Sequence, residues 1–214
     1  LSTGTIYFSL RIARNGNVRD SILAGVFFGL AIATKFSVVP LVLPIIYAHI
    51  ISGGVTGNDR LSHYVGIFKR LIGFGSFSIL VRDFTQPYMF LDFGKYVAEI
   101  STQSSMVRMH VDWPFTRQYI DTPKYWYQIS QLTKWGLGPI LGALCWIGLI
   151  HLLVDSIRRK FQHEIILILA IVPYLLLTGW FDVKFMRYML PITPFLLIGG
   201  SRTLFVMYDK IIRT

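Results

Sequence analysis

The sequence predicts an all-α fold: a polytopic transmembrane helical bundle with a long extracytoplasmic loop that carries amphipathic helices. Three observations predict it. Only 15% of the 214 residues are charged and 53% are hydrophobic, whereas ordinary soluble domains are about a quarter charged. The mean hydropathy is +0.54. The apolar residues gather into runs approaching membrane-helix length, and helices satisfy their own backbone hydrogen bonds in lipid.

The net charge of +10 resembles a nucleic-acid signal, but the placement argues against nucleic acid. The basic residues are scattered between apolar runs, as topology signals and headgroup contacts are. Cys145 is the single cysteine and lies inside an apolar run, which excludes an internal disulfide and a thiolate metal cluster.

The elements follow in order. Residues 1–10, LSTGTIYFSL, read as the tail of a membrane helix, and the chain as a piece of a longer protein. Residues 11–20 form a polar loop with Arg11, Arg14 and Arg19. Residues 21–34 are an apolar run in which Gly25, Gly29, Ala31 and Ala33 permit close helix approach. Lys35 interrupts it, and residues 37–51 resume it with Pro40 and Pro44. A lone lysine at mid-bilayer is costly, so two short helices turning at Lys35 are expected rather than one long one. Residues 52–59, SGGVTGND, are turn-rich. A helix over 64–81 follows. Residues 82–134 form the extracytoplasmic loop, too rich in aromatics for a linker, with amphipathic pieces near 90–102 and 122–133 at the membrane surface. Helices are expected at 135–154, 165–180 and 189–206, and the whole is one membrane domain.

Short loops rich in Lys and Arg stay cytoplasmic. Placing 11–20 inside and alternating puts 52–70, 155–164 and 207–214 inside as well. These four loops carry eleven of the 21 basic residues. Lys35, the long loop and the 181–188 turn then share the outer face.

That last turn, FDVKFMRY, sets one acid and two bases between apolar runs. Arg and Lys pair well with phosphate oxygens, so Lys184 and Arg187 are candidates for a phosphate at headgroup depth. The competing reading is that they anchor helix ends by snorkelling. Lys35 faces the same choice. Tyr188 is a further candidate on the phosphate. Asp182 is expected to pair with Lys184 or Arg187. Gly136 and Gly138 read as turn and packing residues, and no Walker or dinucleotide-binding pattern occurs.

Three segments carry a resemblance. LAGVFFGLAIATKFSVVPLVLP (23–44) resembles the small-residue helix followed by lysine of GT-C-type membrane glycosyltransferases, closest to the protein O-mannosyltransferase-like (family 39) group. KFMRYMLPITPFLLIGG (184–200) and DWPFTRQYIDTPKYWYQISQLTKWGLGP (112–139) are similar to further segments of these enzymes. The resemblance implies transfer of a sugar from a polyprenyl-phosphate-linked donor to an acceptor lipid, glycan or protein at the extracytoplasmic face. It implies Lys35, Lys184, Arg187 and Tyr188 at the carrier phosphate, and Arg117, Gln118 and Tyr119 near the sugar or acceptor. The general base is expected upstream of Leu1, which would leave the fragment inactive alone. A divalent metal stays open as a cofactor. The expected location is the cytoplasmic membrane of a prokaryote. Two other classes compete: a transporter or flippase of lipid-linked or anionic solutes, and a non-catalytic membrane assembly subunit.

Overall fold

The computed structural model describes residues 1–52, 60–159 and 162–212. Regular structure among them is helical throughout. Ten α-helices run in order: α1 Ser2–Asn15, α2 Val18–Thr34, α3 Val42–Ile51, α4 Arg60–Thr85, α5 Tyr88–Leu91, α6 Phe93–Val107, α7 Trp126–Gln131, α8 Pro139–Arg159, α9 Gln162–Gly179 and α10 Thr193–Ile212. Short 3-10 turns cover Phe36–Leu41, Pro114–Tyr119 and Met186–Tyr188, and one π-turn covers Leu132–Gly136.

The polar stretch 11–20 is mostly helical. α1 continues to Asn15 and closes on Gly16 at φ 60, a left-handed position that glycine takes without strain. α4 extends to both sides of the expected 64–81. From residue 53 the turn-rich stretch lies outside the described residues, as do Lys160 and Arg213 of the basic loops.

α2 stops at Thr34. The Thr34 hydroxyl donates back to the Ala31 carbonyl at 2.8 Å, and Lys35 adopts extended backbone, φ −158. Pro40 lacks an N–H and sits in the tighter 3-10 turn that follows. α3 then runs back alongside: His49 near its end shares a 3.0 Å hydrogen bond with Ser21 near the start of α2. Residues 18–51 are therefore a helical hairpin with Lys35 at its bend.

α4 runs in the same direction as α2. A Cβ on Gly25 would lie 2.5 Å from the Phe74 carbonyl oxygen, and one on Gly29 2.5 Å from that of Ser78. Glycine is needed here because backbone meets backbone. The Gln86 amide beyond α4 donates to the Ala33 carbonyl, one of the carbonyls that a helix end leaves unpaired. At the opposite end Arg70 donates to the Gly16 carbonyl at 3.0 Å and the Ser52 hydroxyl at 2.9 Å.

α8 and α10 pack equally closely, with Gly148 facing the backbone of Gly199 and Gly200. Charge joins three helices further along: Arg202 in the middle of α10 pairs with Asp155 of α8 at 3.0 Å and with Glu164 of α9. α9 is wrapped by α1, α3, α8 and α10, and its Ile166, Ala170, Ile171 and Tyr174 are fully buried. The bundle thus has a Lys35 end and an Arg70 end, and all the loop elements from α5 to α7 belong to the first.

Among the described residues two helices, Leu61–Thr85 and Pro139–Arg158, are long and apolar enough to cross a membrane. Their outward faces are apolar: Phe68 is 65% exposed, Leu80 61% and Ile150 60%. Contiguous exposed apolar surface of this kind calls for lipid or a partner.

A candidate anion site at the Lys35 end

The bend after α2 and the turn before α10 meet at one open cleft of about 400 Å³. The lining comes from three stretches: Ala31, Thr34, Lys35 and Val38 around the bend after α2, Arg187, Leu190, Pro191 and Pro194 around the turn before α10, and Leu1, Ser2 and Thr3 at the start of α1. Its side chains include two cations, three hydroxyls and no acid.

Each cation is fixed by an aromatic ring. The Lys35 ammonium lies 3.9 Å from the centre of the Tyr188 ring, and the Arg187 guanidinium 4.4 Å from that of Phe185. Cation–ring attraction orients both groups without neutralising them. Burial, and then the neighbouring Arg187 charge, pull the Lys35 ammonium down to about 8. Burial raises the Tyr188 phenol against the opposing effect of Arg187. Two like charges held together without an acidic partner form an electrostatic receptacle for an anion.

The turn that carries Arg187 is fastened from three sides. The Tyr174 hydroxyl of buried α9 donates to the Tyr188 carbonyl at 2.7 Å. Two successive amides, Asp182 and Val183, donate to the Val107 carbonyl at 3.1 Å. Lys184 is only 3% exposed and donates to the Thr122 hydroxyl at 3.0 Å and the Asp182 carbonyl at 2.9 Å. The structure therefore separates the expected phosphate residues. Lys35 and Arg187 share the cleft, Tyr188 sits beneath Lys35, and Lys184 points into the junction between loop and turn. The Asp182 carboxylate meets neither expected partner but Lys124, at 3.2 Å. Lys124 in turn lies over the Trp180 ring.

The three loop candidates also part company. Arg117 is exposed and holds Asp112 in a bidentate pair, which lowers the Asp112 carboxyl. The Gln118 amide donates to the Phe115 carbonyl. Tyr119 is buried against Phe185 and Tyr127. Sequence reasoning passed over Thr122, which holds Lys184, and the hydroxyls of Ser2, Thr3 and Thr34, because no local pattern distinguishes them from packing residues. No grouping of three or more His, Cys, Asp or Glu side chains suited to a metal ion occurs among the described residues.

Residues 1–79 match the family model of dolichyl-phosphate-mannose-protein mannosyltransferases. This match supports a membrane glycosyltransferase of the mannosyltransferase type. It spans α1, the Lys35 hairpin and most of α4, and so includes one of the two cleft cations. No curated protein and no solved structure matches the chain.

Proposed function

We propose that this protein is a polytopic membrane glycosyltransferase that uses a polyprenyl-phosphate-linked sugar, and that the Lys35–Arg187 cleft holds the carrier phosphate. The observation that carries the reading is the convergence of two ring-clamped cations on one acid-free cleft, in a chain whose first 79 residues match mannosyltransferases.

The chemistry fits. In sugar transfer the acceptor oxygen attacks the anomeric carbon while the carbon–oxygen bond to phosphate breaks. Negative charge grows on the departing phosphate, and fixed cations stabilise it more in the transition state than in the ground state. Arg187 offers a planar fork and Lys35 a point charge. The apolar walls of Leu190, Pro191 and Val38 suit the first isoprene units of a lipid carrier. A base must still take the acceptor proton; the cleft lining supplies none.

The test is transfer of labelled mannose from mannosyl-phosphoryl-polyprenol in membranes containing the protein. Arg187→Gln should lower the rate roughly 10²-fold, the scale of losing one charged donor to a transition-state oxyanion. Unchanged transfer in both Lys35→Gln and Arg187→Gln sinks the cleft assignment. Movement of the lipid across the bilayer without transfer would instead favour a flippase.

A further inference from the structure

Buried α9 packs against the 3-10 turn Phe36–Leu41 that follows Lys35, and through Tyr174 it also reaches the turn that carries Arg187. Tyr174 is fully buried and does not line the cleft. Its hydroxyl donates to the Tyr188 carbonyl at 2.7 Å. Tyr188 is itself buried, and its ring lies 3.9 Å from the Lys35 ammonium. The same ring meets Phe185 edge-on, with centres 5.6 Å apart and planes at 80°. One chain of contacts therefore runs from the core to a cleft cation: Tyr174 hydroxyl, Tyr188 backbone, Tyr188 ring, Lys35 ammonium.

We infer that Tyr174 is a positioning residue for the cleft: its hydroxyl fixes Tyr188, and the Tyr188 ring seats the Lys35 ammonium at the anion site. The inference rests on the phosphate reading and deepens it, by adding control of that site from a residue outside its lining. A lysine ammonium rides on a flexible four-carbon stem, so a fixed position must come from its contacts. Among the described residues no carboxylate pairs with Lys35, and the ring beneath it is the contact that orients it. The ring in turn stays in place only if its backbone does. A hydroxyl on a fully buried aromatic residue costs free energy unless it finds a partner, and packing alone would be served by phenylalanine. The partner here is a backbone carbonyl, so the bond acts on the position of the turn and not on the charge of the cleft. Without it the carbonyl of a buried residue loses its donor, and the turn relaxes and carries the ring from beneath Lys35.

The test is a double-variant cycle. Tyr174→Phe removes one hydroxyl and keeps the ring; it is made alone and together with Lys35→Gln. Each protein in nanodiscs is titrated with polyprenyl phosphate and with uncharged polyprenol. Tyr174→Phe should lower the preference for the phosphate roughly three- to tenfold, the scale of one cation–ring contact, with polyprenol affinity unchanged. In the Lys35→Gln background it should lower nothing further, because two changes that act through one contact do not add. The pH at which the wild type loses affinity, set by Lys35 at about 8, should rise toward the ordinary lysine range in Tyr174→Phe, as the ammonium leaves its buried seat beside Arg187. Ile166→Val near the other end of α9 is equally buried and loosens the same helix. It should change none of these readings. An unchanged preference in Tyr174→Phe, an additive loss in the double variant, or the same loss in Ile166→Val overturns the positioning role and leaves the cleft standing. A wild type that binds the two lipids equally removes the cleft, and the positioning role with it.

Discussion

Lys35 and Arg187 lie 152 positions apart in the sequence, yet they line the same cleft. Their protonation sets a pH dependence. Because burial and Arg187 pull Lys35 down to about 8, raising the pH through that value removes one of the two charges, and Arg187 keeps the other. Affinity for a phosphate lipid should therefore fall between pH 7 and 9.5, and the fall should vanish in Lys35→Gln. The folded state also binds this proton less readily than the unfolded chain does. Lys35 thus makes stability rise, not fall, with pH from about 8 upward to the ordinary lysine range. Lys184 acts differently. It is buried against Thr122 and the Asp182 carbonyl, so Lys184→Met should leave the cleft charge intact but loosen the loop from the turn. Limited proteolysis should show faster cleavage near residues 120–124 in that variant. Unchanged cleavage would mean that the Val107 and Tyr174 contacts hold the turn alone.

At the scale of elements, close helix approach is concentrated at a few glycines. A Cβ on Gly148 would lie 2.3 Å from the backbone carbon of Gly199, whereas one on Gly75 would meet nothing within 4 Å. Gly148→Ala should cost roughly 1–3 kcal/mol by forcing α8 from α10. Gly75→Ala should be neutral or stabilise by up to about 1 kcal/mol through helix propensity. Thermal unfolding in detergent compares the two directly. The small-residue pattern of α2 was legible in the sequence, as was the bend at Lys35, because a charge and two prolines interrupt an apolar run. The helix ends were less legible. Arg60, Arg11 and Arg14 lie on helices whose polar ends look like loops when only hydropathy is read. The roles within the FDVKFMRY turn could not be separated locally either. Lys184 and Arg187 carry the same charge three residues apart, and only the tertiary partner Thr122 tells the buried one from the exposed one.

On the scale of the whole molecule, the loop elements from α5 to α7, the Lys35 bend and the Arg187 turn gather at one end of the bundle, and Gly16, Ser52, Arg70 and the Asp155–Arg202–Glu164 cluster at the other. If the bundle spans a membrane with its basic loops inside, a cysteine placed at Gln118 in a Cys145→Ala background should react with an impermeant maleimide on intact cells, and one at Arg14 only after lysis. The reverse pattern would place the cleft on the cytoplasmic face and exclude an extracytoplasmic acceptor. A binding titration of polyprenyl phosphate against uncharged polyprenol tests most directly whether the Lys35–Arg187 cleft binds a lipid phosphate. Wild-type protein should prefer the phosphate by at least about tenfold, and Arg187→Gln together with Lys35→Gln should erase that preference while leaving affinity for polyprenol unchanged. Equal affinity of the wild type for the two lipids, or a preference that survives the double substitution, would contradict it.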